Sequence, residues 1–363
     1  MAITKIPAAG FSDAVNFRNI IINGDMSIAQ RGTSTASITT SGYYTVDRFN
    51  LGITTLGTWT QSQDTDVPTG QGFAKSLKMD CTTADGSPGS NDVLQINYKM
   101  EGQQLQYLKK GTSSAESTTL SFWIKATKTG TNIVELFDLD NGRQISKSYT
   151  VSSSDTWEKK TITFAGDTSG AFGNDNAASL QLDFFFGAGS NYTSGTLNTS
   201  WNSNTTANRA VGQVNHADST SNNIYITGVQ LEAGTAASDF EFLPVDVNLQ
   251  RCQRYYYALL NTGENNNYFI SGYYYTSSFI YCHTEFPTQM RSSPSLVQSN
   301  GTDYYTFYSN GAGDGFSSFN YNITFLNRNA TFGNDHQVSG TGGHAGRVYS
   351  TNTNSYVHFN AEL

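Results

Sequence analysis

The chain has 363 residues and a formal net charge of −8, and 14% of its residues are charged whereas 13% are aromatic. The longest Lys/Arg runs are pairs such as Lys109–Lys110, so the basic stripe of a nucleic-acid-binding protein is absent from the sequence. No segment approaches the roughly 18 consecutive apolar residues of a membrane-spanning helix. Abundant Thr, Ser, Tyr and Phe with few charges predict an all-β protein, and the length allows two or three domains.

Residues 1–17 are predicted to form an N-terminal attachment arm. They show no strong period and include Pro7 and Gly10, so we expect them to become ordered only by docking on a neighbouring protein. They contain no apolar signal-peptide core, which predicts folding in the cytosol where the chain is made. Cys81, Cys252 and Cys282 are accordingly predicted to be buried free thiols.

Residues 18–245 are predicted to form a jelly-roll β-sandwich. Apolar segments at Asn19–Arg31 and Ile224–Glu232 predict its first and last strands, which meet in one sheet of such a fold. Gly228 interrupts the apolar alternation and predicts a β-bulge. Four further strands are predicted between these two: Thr119–Lys125, Asn132–Leu139, Thr161–Phe164 and Leu180–Phe186.

Three connecting segments of this domain carry their own predictions. Asn141-Gly142 lies between two strand-like runs and predicts a type I′ hairpin turn. A short helix is predicted over Gln103–Leu108. The polar segment 187–222 is long for a loop in a compact domain, which indicates a role in function or assembly.

Residues 246–257 are predicted to form a linker helix, because Pro244 precedes them and Asp246 can cap the first turn. Residues 258–363 are predicted to form a second, smaller β-sandwich that is rich in tyrosine. Its predicted strands are Tyr268–Tyr275, Phe279–Phe286, Tyr304–Tyr308, Phe319–Phe325 and Tyr356–Leu363.

The sequence contains no recognised catalytic motif, and the five histidines have no metal-ligand spacing. Asp138 and Asp140 are a pair of carboxylates of the kind that glycosidases use. They flank a predicted turn, where a solvated pair is the ordinary case, so we expect a protein that is not an enzyme.

Glycan binding is the favoured kind of site, since tyrosine offers both an aromatic face and a hydroxyl group at small entropic cost. In an alternating strand Tyr274 faces the opposite side from its two neighbours, so part of the set belongs to the core or to a subunit interface. The candidate ligand-binding residues are Tyr273, Tyr275, Tyr304, Tyr305 and Tyr308.

The sequences of several segments resemble those of bacteriophage tail fibre and virion appendage proteins. These segments occur in the expected order over about 16–256: Asn19–Met26, Ala29–Arg31, Tyr44–Arg48, Leu120–Lys125, Thr156–Ile162, Gly166–Gly170, Thr227–Gly234 and Arg251–Tyr256. Phe286–Pro294 and Phe359–Leu363 resemble the C-terminal β domain of many phage tail proteins. Ala2–Pro7 resembles their attachment arm, in which Ile3, Ile6, Pro7 and Phe11 would make the apolar contacts.

The first domain is also similar to carbohydrate-binding modules that hold a structural Ca²⁺ between their first and last strands. The resemblance implies Asp25 as one ligand. Thr227-Gly228 stands where such modules place an aspartate, so Glu232 would have to substitute. No other cofactor is implied.

Together these resemblances imply a non-enzymatic, homotrimeric virion protein, made in the host cytoplasm. It would dock to other virion proteins through residues 1–17 and present residues 258–363 to a host-surface glycan or protein. Two alternatives remain open: a capsid-decorating or head-knob protein, and the glycan-binding module of a depolymerase.

Overall fold

The computed structural model describes residues 17–363, with the backbone alone described at 322–325. Antiparallel sheets dominate it, which confirms the all-β prediction. The chain forms two compact units. The first comprises the described residues up to Ser27, Ala36–Gly42 and Phe49–Leu243; the second comprises Ile28–Thr35, Tyr43–Arg48 and Pro244–Leu363.

The first unit is a sandwich of two six-stranded sheets. One sheet has the strand order β1-β3-β4-β12-β6-β9 and the other β11-β8-β7-β10-β5-β2. The strands are β1 Ser34–Ile38, β2 Asn50–Thr54, β3 Thr58–Asp64, β4 Ser76–Thr83, β5 Val93–Glu101, β6 Thr118–Ala126, β7 Gly130–Asp138, β8 Arg143–Val151, β9 Glu158–Phe164, β10 Ala178–Ala188, β11 Asn202–Ser203 and β12 Asn223–Ala233. Short helical turns are α1 Ser190–Thr193 and 3-10 helices at Gly102–Gln104, Gln106–Leu108 and Thr206–Asn208.

The core of this unit lies between the two sheets. Leu120, Phe122 and Ile124 of β6 are fully buried, as their period-two spacing predicts. Phe122 packs edge-on against Phe184 of β10 at 5.0 Å between ring centroids. Burial of each such side chain stabilises the fold by about 1.5–3 kcal/mol relative to exposure, so the alternating apolar positions hold the sandwich together.

The prediction of a strand over Asn19–Arg31 is wrong, although this segment does meet β12. Its backbone is irregular, with left-handed residues at Asn23 and Met26. Single hydrogen bonds join it to β12, from the Ile20 amide to the Leu231 carbonyl at 2.9 Å and from the Val229 amide to the Gly24 carbonyl at 2.9 Å.

The β-bulge predicted at Gly228 is confirmed. The pairing of β12 with β6 shifts register between Thr227 and Gln230, and Gly228 has φ of +62°. A Cβ atom there would lie 2.6 Å from the Phe73 ring, so both the backbone conformation and the packing require glycine.

Two local predictions in the first unit need correction. β7 and β8 form the expected hairpin, but Asp138 pairs with Arg143 across a four-residue loop in which Gly142, and not Asn141, has a positive φ. The turn is therefore not type I′, which needs φ > 0 at both central residues. The helix predicted over Gln103–Leu108 is instead two consecutive 3-10 turns.

The second unit contains one helix and two antiparallel sheets. The three-stranded sheet has the order β13-β22-β16 and the seven-stranded sheet β18-β17-β21-β14-β15-β20-β19. The elements are α2 Val245–Gln253, β13 Tyr256–Leu260, β14 Tyr268–Thr276, β15 Phe279–Glu285, β16 Ser295–Gln298, β17 Tyr305–Ser309, β18 Ala312–Phe316, β19 Tyr321–Phe325, β20 Asn329–Asn334, β21 Ala345–Ser350 and β22 Val357–Asn360.

The helix α2 is shorter than the predicted 246–257, because Tyr256 already begins β13. Asn248 and Cys252 on it are buried. It therefore packs as part of the second unit and is not a free linker. Cys81, Cys252 and Cys282 are all buried thiols that form no disulfide, as predicted.

A buried charge cluster in the second unit consists of Arg31, Asp47, Arg48 and Glu362. Arg48 pairs with Glu362, and Arg31 lies 3.2 Å from Glu362 and 3.6 Å from Asp47 between the nearest charged atoms. Burial raises the pKa of Asp47, while the Arg31 charge opposes that shift. Removing one partner of such a pair costs about 3–5 kcal/mol, so this cluster holds segments 28–35 and 43–48 in the second unit.

Tyrosine rings cover the two arginines of the buried charge cluster. The Arg31 guanidinium carbon lies 3.4 Å from the Tyr256 ring centroid, and that of Arg48 lies 3.5 Å from the Tyr255 centroid. The predicted domain boundary at residues 245/246 assigns Arg31 and Arg48 to the first domain, whereas these contacts place both in the second unit. Four segments that carry the resemblance to phage proteins meet here: Ala29–Arg31, Tyr44–Arg48, Arg251–Tyr256 and Phe359–Leu363.

Candidate functional site

The outer face of the seven-stranded sheet carries exposed aromatic rings. In β14 and β15 the aliphatic residues Ile270 and Ile280 are buried, and so is Tyr274. Alternation then places Tyr273 and Tyr281, which are directly paired across the two strands, on the opposite side. The core thus takes the aliphatic side chains of these strands, and the solvent side receives tyrosine.

Five residues on this side form one connected group, which we call the aromatic face. Tyr275 stacks on Tyr281 with ring centroids 4.7 Å apart and planes 15° apart. Phe279 packs edge-on against both Tyr281, at 4.5 Å, and Tyr321, at 4.7 Å. Tyr273 meets Tyr281 at 5.9 Å. Tyr273, Tyr275 and Tyr321 are 44%, 57% and 40% exposed, so ring surface remains available to a ligand.

Gly333 of β20 creates the space between two of these rings. It pairs with Tyr281 on one side and with Tyr321 on the other. A Cβ atom on Gly333 would lie 1.8 Å from the Ile280 carbonyl oxygen and 3.4 Å from the Phe279 ring. Because any side chain is excluded here, the Phe279 ring can lie over the backbone of β20 and join Tyr281 to Tyr321.

The hydroxyl groups of the aromatic face lie near one another. Desolvation and the neighbouring phenol groups of Tyr321, Tyr275 and Tyr273 raise the pKa of Tyr281. The hydroxyl therefore stays protonated and can donate or accept a hydrogen bond over the physiological pH range. The face thus combines flat apolar surface with several neutral hydrogen-bonding groups.

A second aromatic group lies beside this face, around Arg347 of β21. The guanidinium carbon of Arg347 is 4.0 Å from the Tyr268 ring centroid, and Tyr268 packs edge-on against Tyr349 at 5.3 Å. In the strand register, Arg347 lies opposite Ser271 of β14 and opposite Tyr308 of β17. Tyr273 pairs with Ala345, two residues from Arg347, so the two groups are about 7 Å apart along the strand.

A cleft of about 450 Å³ lies where β15 ends and β20 begins. Its lining includes charged and amide side chains, namely Glu285, Gln289, Arg328 and Asn329. Glu285 follows Tyr281 by four residues on the same strand, so alternation puts both on one side, roughly 14 Å apart. The cleft therefore continues the aromatic face along β15.

The structure sorts the predicted tyrosines into three groups. Tyr273 and Tyr275 belong to the aromatic face, and Tyr308 is exposed beside Arg347. Tyr304 is partly buried against the core. Tyr305 is fully buried, which corrects its assignment as a ligand contact: its hydroxyl bonds to Ser299 Oγ at 2.7 Å and donates to the Tyr356 carbonyl at 2.8 Å.

Sequence reasoning missed Tyr281, Phe279 and Tyr321 as site residues. Phe279 and Tyr281 lie within a predicted strand, and their i, i+2 spacing placed them on one side of it. That signal did not reveal which strands are neighbours. Tyr321 joins the face only because β19 pairs with β20 at Gly333.

The structure does not bring the two predicted calcium ligands together. Glu232 accepts hydrogen bonds from the Ser238 amide at 2.9 Å and the Ser238 hydroxyl at 2.6 Å. Asp25 follows Gly24, whose carbonyl accepts a hydrogen bond from the Val229 amide. Glu232 follows Leu231, whose carbonyl accepts a hydrogen bond from the Ile20 amide. Within residues 17–363, no three His, Cys, Asp or Glu side chains are grouped as a metal site. The predicted attachment residues Ile3, Ile6, Pro7 and Phe11 lie outside the described residues.

Asp138 is not solvated, contrary to the expectation for this carboxylate pair. It is fully buried and pairs with Lys110. Its carboxylate also accepts hydrogen bonds from the Asp140 and Asn141 amides at 3.0 and 3.1 Å. The Asp140 carboxylate accepts the Gly173 amide at 2.8 Å. Both groups thus hold the β7–β8 hairpin.

The outer face of the second sheet in the first unit is closed by the long segment 187–222. Glu135 of β7 and Asp183 of β10 are cross-strand neighbours and fully buried. Arg209 pairs with both, and its Nη2 lies 3.2 Å from Asp183 Oδ2. Ala210, Tyr192 and Leu197 pack over Ile133 and Phe185 on the same side. The segment predicted as a functional or assembly loop thus covers this sheet.

Among the described helices, none is long and apolar enough to span a membrane. No family model matches the chain, and no curated protein matches it.

Several solved structures are similar to this chain at low sequence identity. One is the enzymatically active domain of bacteriophage CBA120 tailspike protein 4, with 15% identity, a TM-score of 0.32, and coverage of 60% of this chain and 21% of that one. Another is the family 11 carbohydrate-binding module of Clostridium thermocellum with a mixed-linked tetrasaccharide, with 10% identity, a TM-score of 0.28 and coverage of 57% and 98%. A third is the N-terminal cellulose-binding domain of Cellulomonas fimi β-1,4-glucanase C, with 13% identity, a TM-score of 0.28 and coverage of 48% and 85%. The chain spans about a fifth of the tailspike domain, and scores this low carry no function to it.

Proposed function

We propose that the second unit binds a saccharide chain on the aromatic face and in the adjoining cleft. The observation that carries this proposal is the group of five mutually packed rings, three of them tyrosines that are 40–57% exposed. Sugar rings combine apolar C–H faces with hydroxyl groups, and tyrosine matches both features at small entropic cost.

The polar lining of the cleft supports the same ligand class. Glu285, Gln289, Arg328 and Asn329 carry planar groups that can donate or accept two hydrogen bonds at once, as adjacent sugar hydroxyls require. The cleft and Tyr281 are separated by roughly 14 Å along β15. A ligand that contacts both is therefore longer than one sugar ring.

The same proposal gives the protein its place: a non-enzymatic virion protein, most simply a tail fibre or appendage that docks by residues 1–17 and forms a homotrimer. The resemblance to phage proteins supports this proposal. Four of the segments that carry the resemblance meet in the buried charge cluster, so they belong to the scaffold of the fold and not to the aromatic face. A capsid-decorating protein is the alternative location. Cryo-electron microscopy of intact particles distinguishes the two, and density away from both tail and capsid would contradict the virion role.

The binding proposal is tested with an array of bacterial capsular polysaccharides and lipopolysaccharides. Wild-type protein should bind a subset, and Tyr273→Ala and Tyr281→Ala should each lower affinity by about tenfold or more, about 1.4 kcal/mol. Tyr107→Ala, which removes a 48%-exposed tyrosine of the first unit, is the matched control and should bind as wild type.

Two results would overturn the binding proposal. One is the absence of any glycan binding by wild-type protein. The other is a change of oligomeric state in the Tyr273→Ala and Tyr281→Ala variants, measured by analytical ultracentrifugation, with glycan affinity unchanged. In that case the aromatic face is a contact between copies of this chain.

A further inference from the structure

We infer that the saccharide is acidic and that Arg347 binds its carboxylate. This inference rests on the proposed saccharide binding and adds the chemical class of the sugar. Arg347 is exposed on β21, on the same side of the sheet as the aromatic face.

The guanidinium group of Arg347 stacks on a tyrosine ring. It lies over the Tyr268 ring at 4.0 Å from the centroid, and Tyr349 supports that ring from the edge at 5.3 Å. Stacking restricts the long side chain before a ligand arrives, so less rotamer entropy is lost when its N–H groups are used.

No carboxylate of the described residues pairs with this guanidinium group. The acidic groups on nearby elements are engaged elsewhere. The Asp314 carboxylate accepts a hydrogen bond from the Tyr274 hydroxyl at 3.1 Å and another from the Ser339 amide. The Glu264 carboxylate accepts the Asn261 amide at 2.8 Å. Arg347 therefore presents unused, charged donors at the surface.

The neighbours of Arg347 fit a sugar acid better than an isolated anion. Its cross-strand neighbours are Ser271 and Tyr308, whose hydroxyls can bond to ring hydroxyls of the same sugar. Tyr273 of the aromatic face begins about 7 Å away along the strand. A uronic or related acid sugar on Arg347 thus extends directly into a chain that stacks on Tyr273 and Tyr281.

Carboxylate is the specific expectation, because a planar guanidinium forms two parallel hydrogen bonds with a planar carboxylate. Lysine cannot reproduce that geometry. Arg347→Lys should accordingly bind more weakly than wild type and more strongly than Arg347→Gln.

The test uses each polysaccharide that wild-type protein binds on the array, before and after chemical reduction of its carboxyl groups to alcohols. Reduction should lower the affinity of wild-type protein by about tenfold or more, about 1.4 kcal/mol. Arg347→Gln should lose the same factor on the native polysaccharide and nothing further on the reduced one.

Lys159→Gln is the charge-matched control, since it removes an exposed positive charge from the first unit. It should bind native and reduced polysaccharides as wild type does. Urea unfolding of Arg347→Gln should match wild type, because the side chain is exposed.

Binding only to neutral polysaccharides would overturn the inference while leaving the proposed function intact. So would equal losses of Arg347→Gln on native and reduced polysaccharide, which mark a structural role. Binding that survives carboxyl reduction but disappears after removal of phosphate would assign the anion to phosphate instead. Failure of wild-type protein to bind any glycan would overturn both proposals.

Discussion

The outer faces of two sheets in this protein differ, because one is covered by another segment of the chain and the other is exposed to solvent. In the first unit, segment 187–222 covers the sheet and buries Glu135 and Asp183 beneath Arg209. In the second unit, the seven-stranded sheet leaves the rings of Tyr273, Tyr275 and Tyr321 in solvent. A covered face must neutralise its own charges, because buried unpaired charge is costly, whereas an uncovered face can keep its interactions for a ligand. Exposed aromatic surface is thus the better marker of a binding site here than buried charge.

The largest effect should come from opening the covered face with Arg209→Ala. This change leaves two buried carboxylates without their counter-ion, which should destabilise the first unit by about 3–5 kcal/mol. Urea unfolding followed by fluorescence measures the loss. Lys147→Ala, whose exposed ammonium group donates to the Thr199 carbonyl at 2.7 Å, is the control and should cost less than about 1 kcal/mol. Equal losses in the two variants would break the comparison.

The contrast between buried and exposed tyrosine is tested within the second unit. Tyr305→Ala removes a fully buried ring and two hydrogen bonds, and it should cost about 3–5 kcal/mol by thermal or urea unfolding. Tyr273→Ala should change stability by about 0.5 kcal/mol or less, since its ring is 44% exposed. If Tyr273→Ala proved as destabilising as Tyr305→Ala, the aromatic face would be a structural element and not an available surface.

A third difference between the two faces is a pH dependence of stability between pH 4 and 7 that the covered face should show and the aromatic face should not. Burial, together with the nearby Glu135 charge, raises the pKa of Asp183 to about 7 although Arg209 opposes the shift. The folded state then holds a proton that the unfolded state releases near pH 4. This stability is therefore fully present below about pH 4 and is lost as the pH rises towards 7.

Asp183→Asn should remove that dependence, so its unfolding free energy between pH 4 and 7 should fall less steeply than that of wild type. The difference is at most about 1.4 kcal/mol per pH unit. His216 acts in the opposite sense, because burial lowers its pKa to about 3, but it is unchanged in both proteins and cancels in the comparison. Parallel stability curves for the two proteins would show that Asp183 is ionised in the folded state throughout.

The sequence predicted the parts of this fold that depend on local periodicity. The alternation of apolar residues predicted β6, β7, β10, β14 and β15. Gly228, which interrupts this alternation, predicted the bulge. Hydrophobicity predicts a strand at Asn19–Arg31, but the isoleucines of this segment are buried in an irregular backbone, and hydrophobicity alone does not distinguish the two. Tyr305 and Tyr273 look alike in sequence, since each stands in a tyrosine-rich run.

What the sequence could not provide is the pairing of distant strands. The aromatic face exists because β14, β15, β20 and β19 lie side by side, and the covered face exists because Arg209 reaches Glu135 and Asp183. Neither depends on spacing along one segment. Whether a tyrosine lies in the core or on the surface depends on that strand pairing and not on its residue type.

The buried charge cluster also sets the order in which the second unit can be completed during synthesis. Arg31 and Glu362 are 331 residues apart in the chain, yet they lie 3.2 Å apart in the folded unit. Ile28–Thr35 and Tyr43–Arg48 are made early and must wait, without their final partners, until Glu362 has left the ribosome. Glu362→Gln would keep every tyrosine of the aromatic face but would leave Arg31 and Arg48 without that carboxylate. The second unit therefore cannot be completed before Glu362 is made, and a fragment containing 258–363 alone, which lacks Arg31, Asp47 and Arg48, should not be expected to fold like this unit.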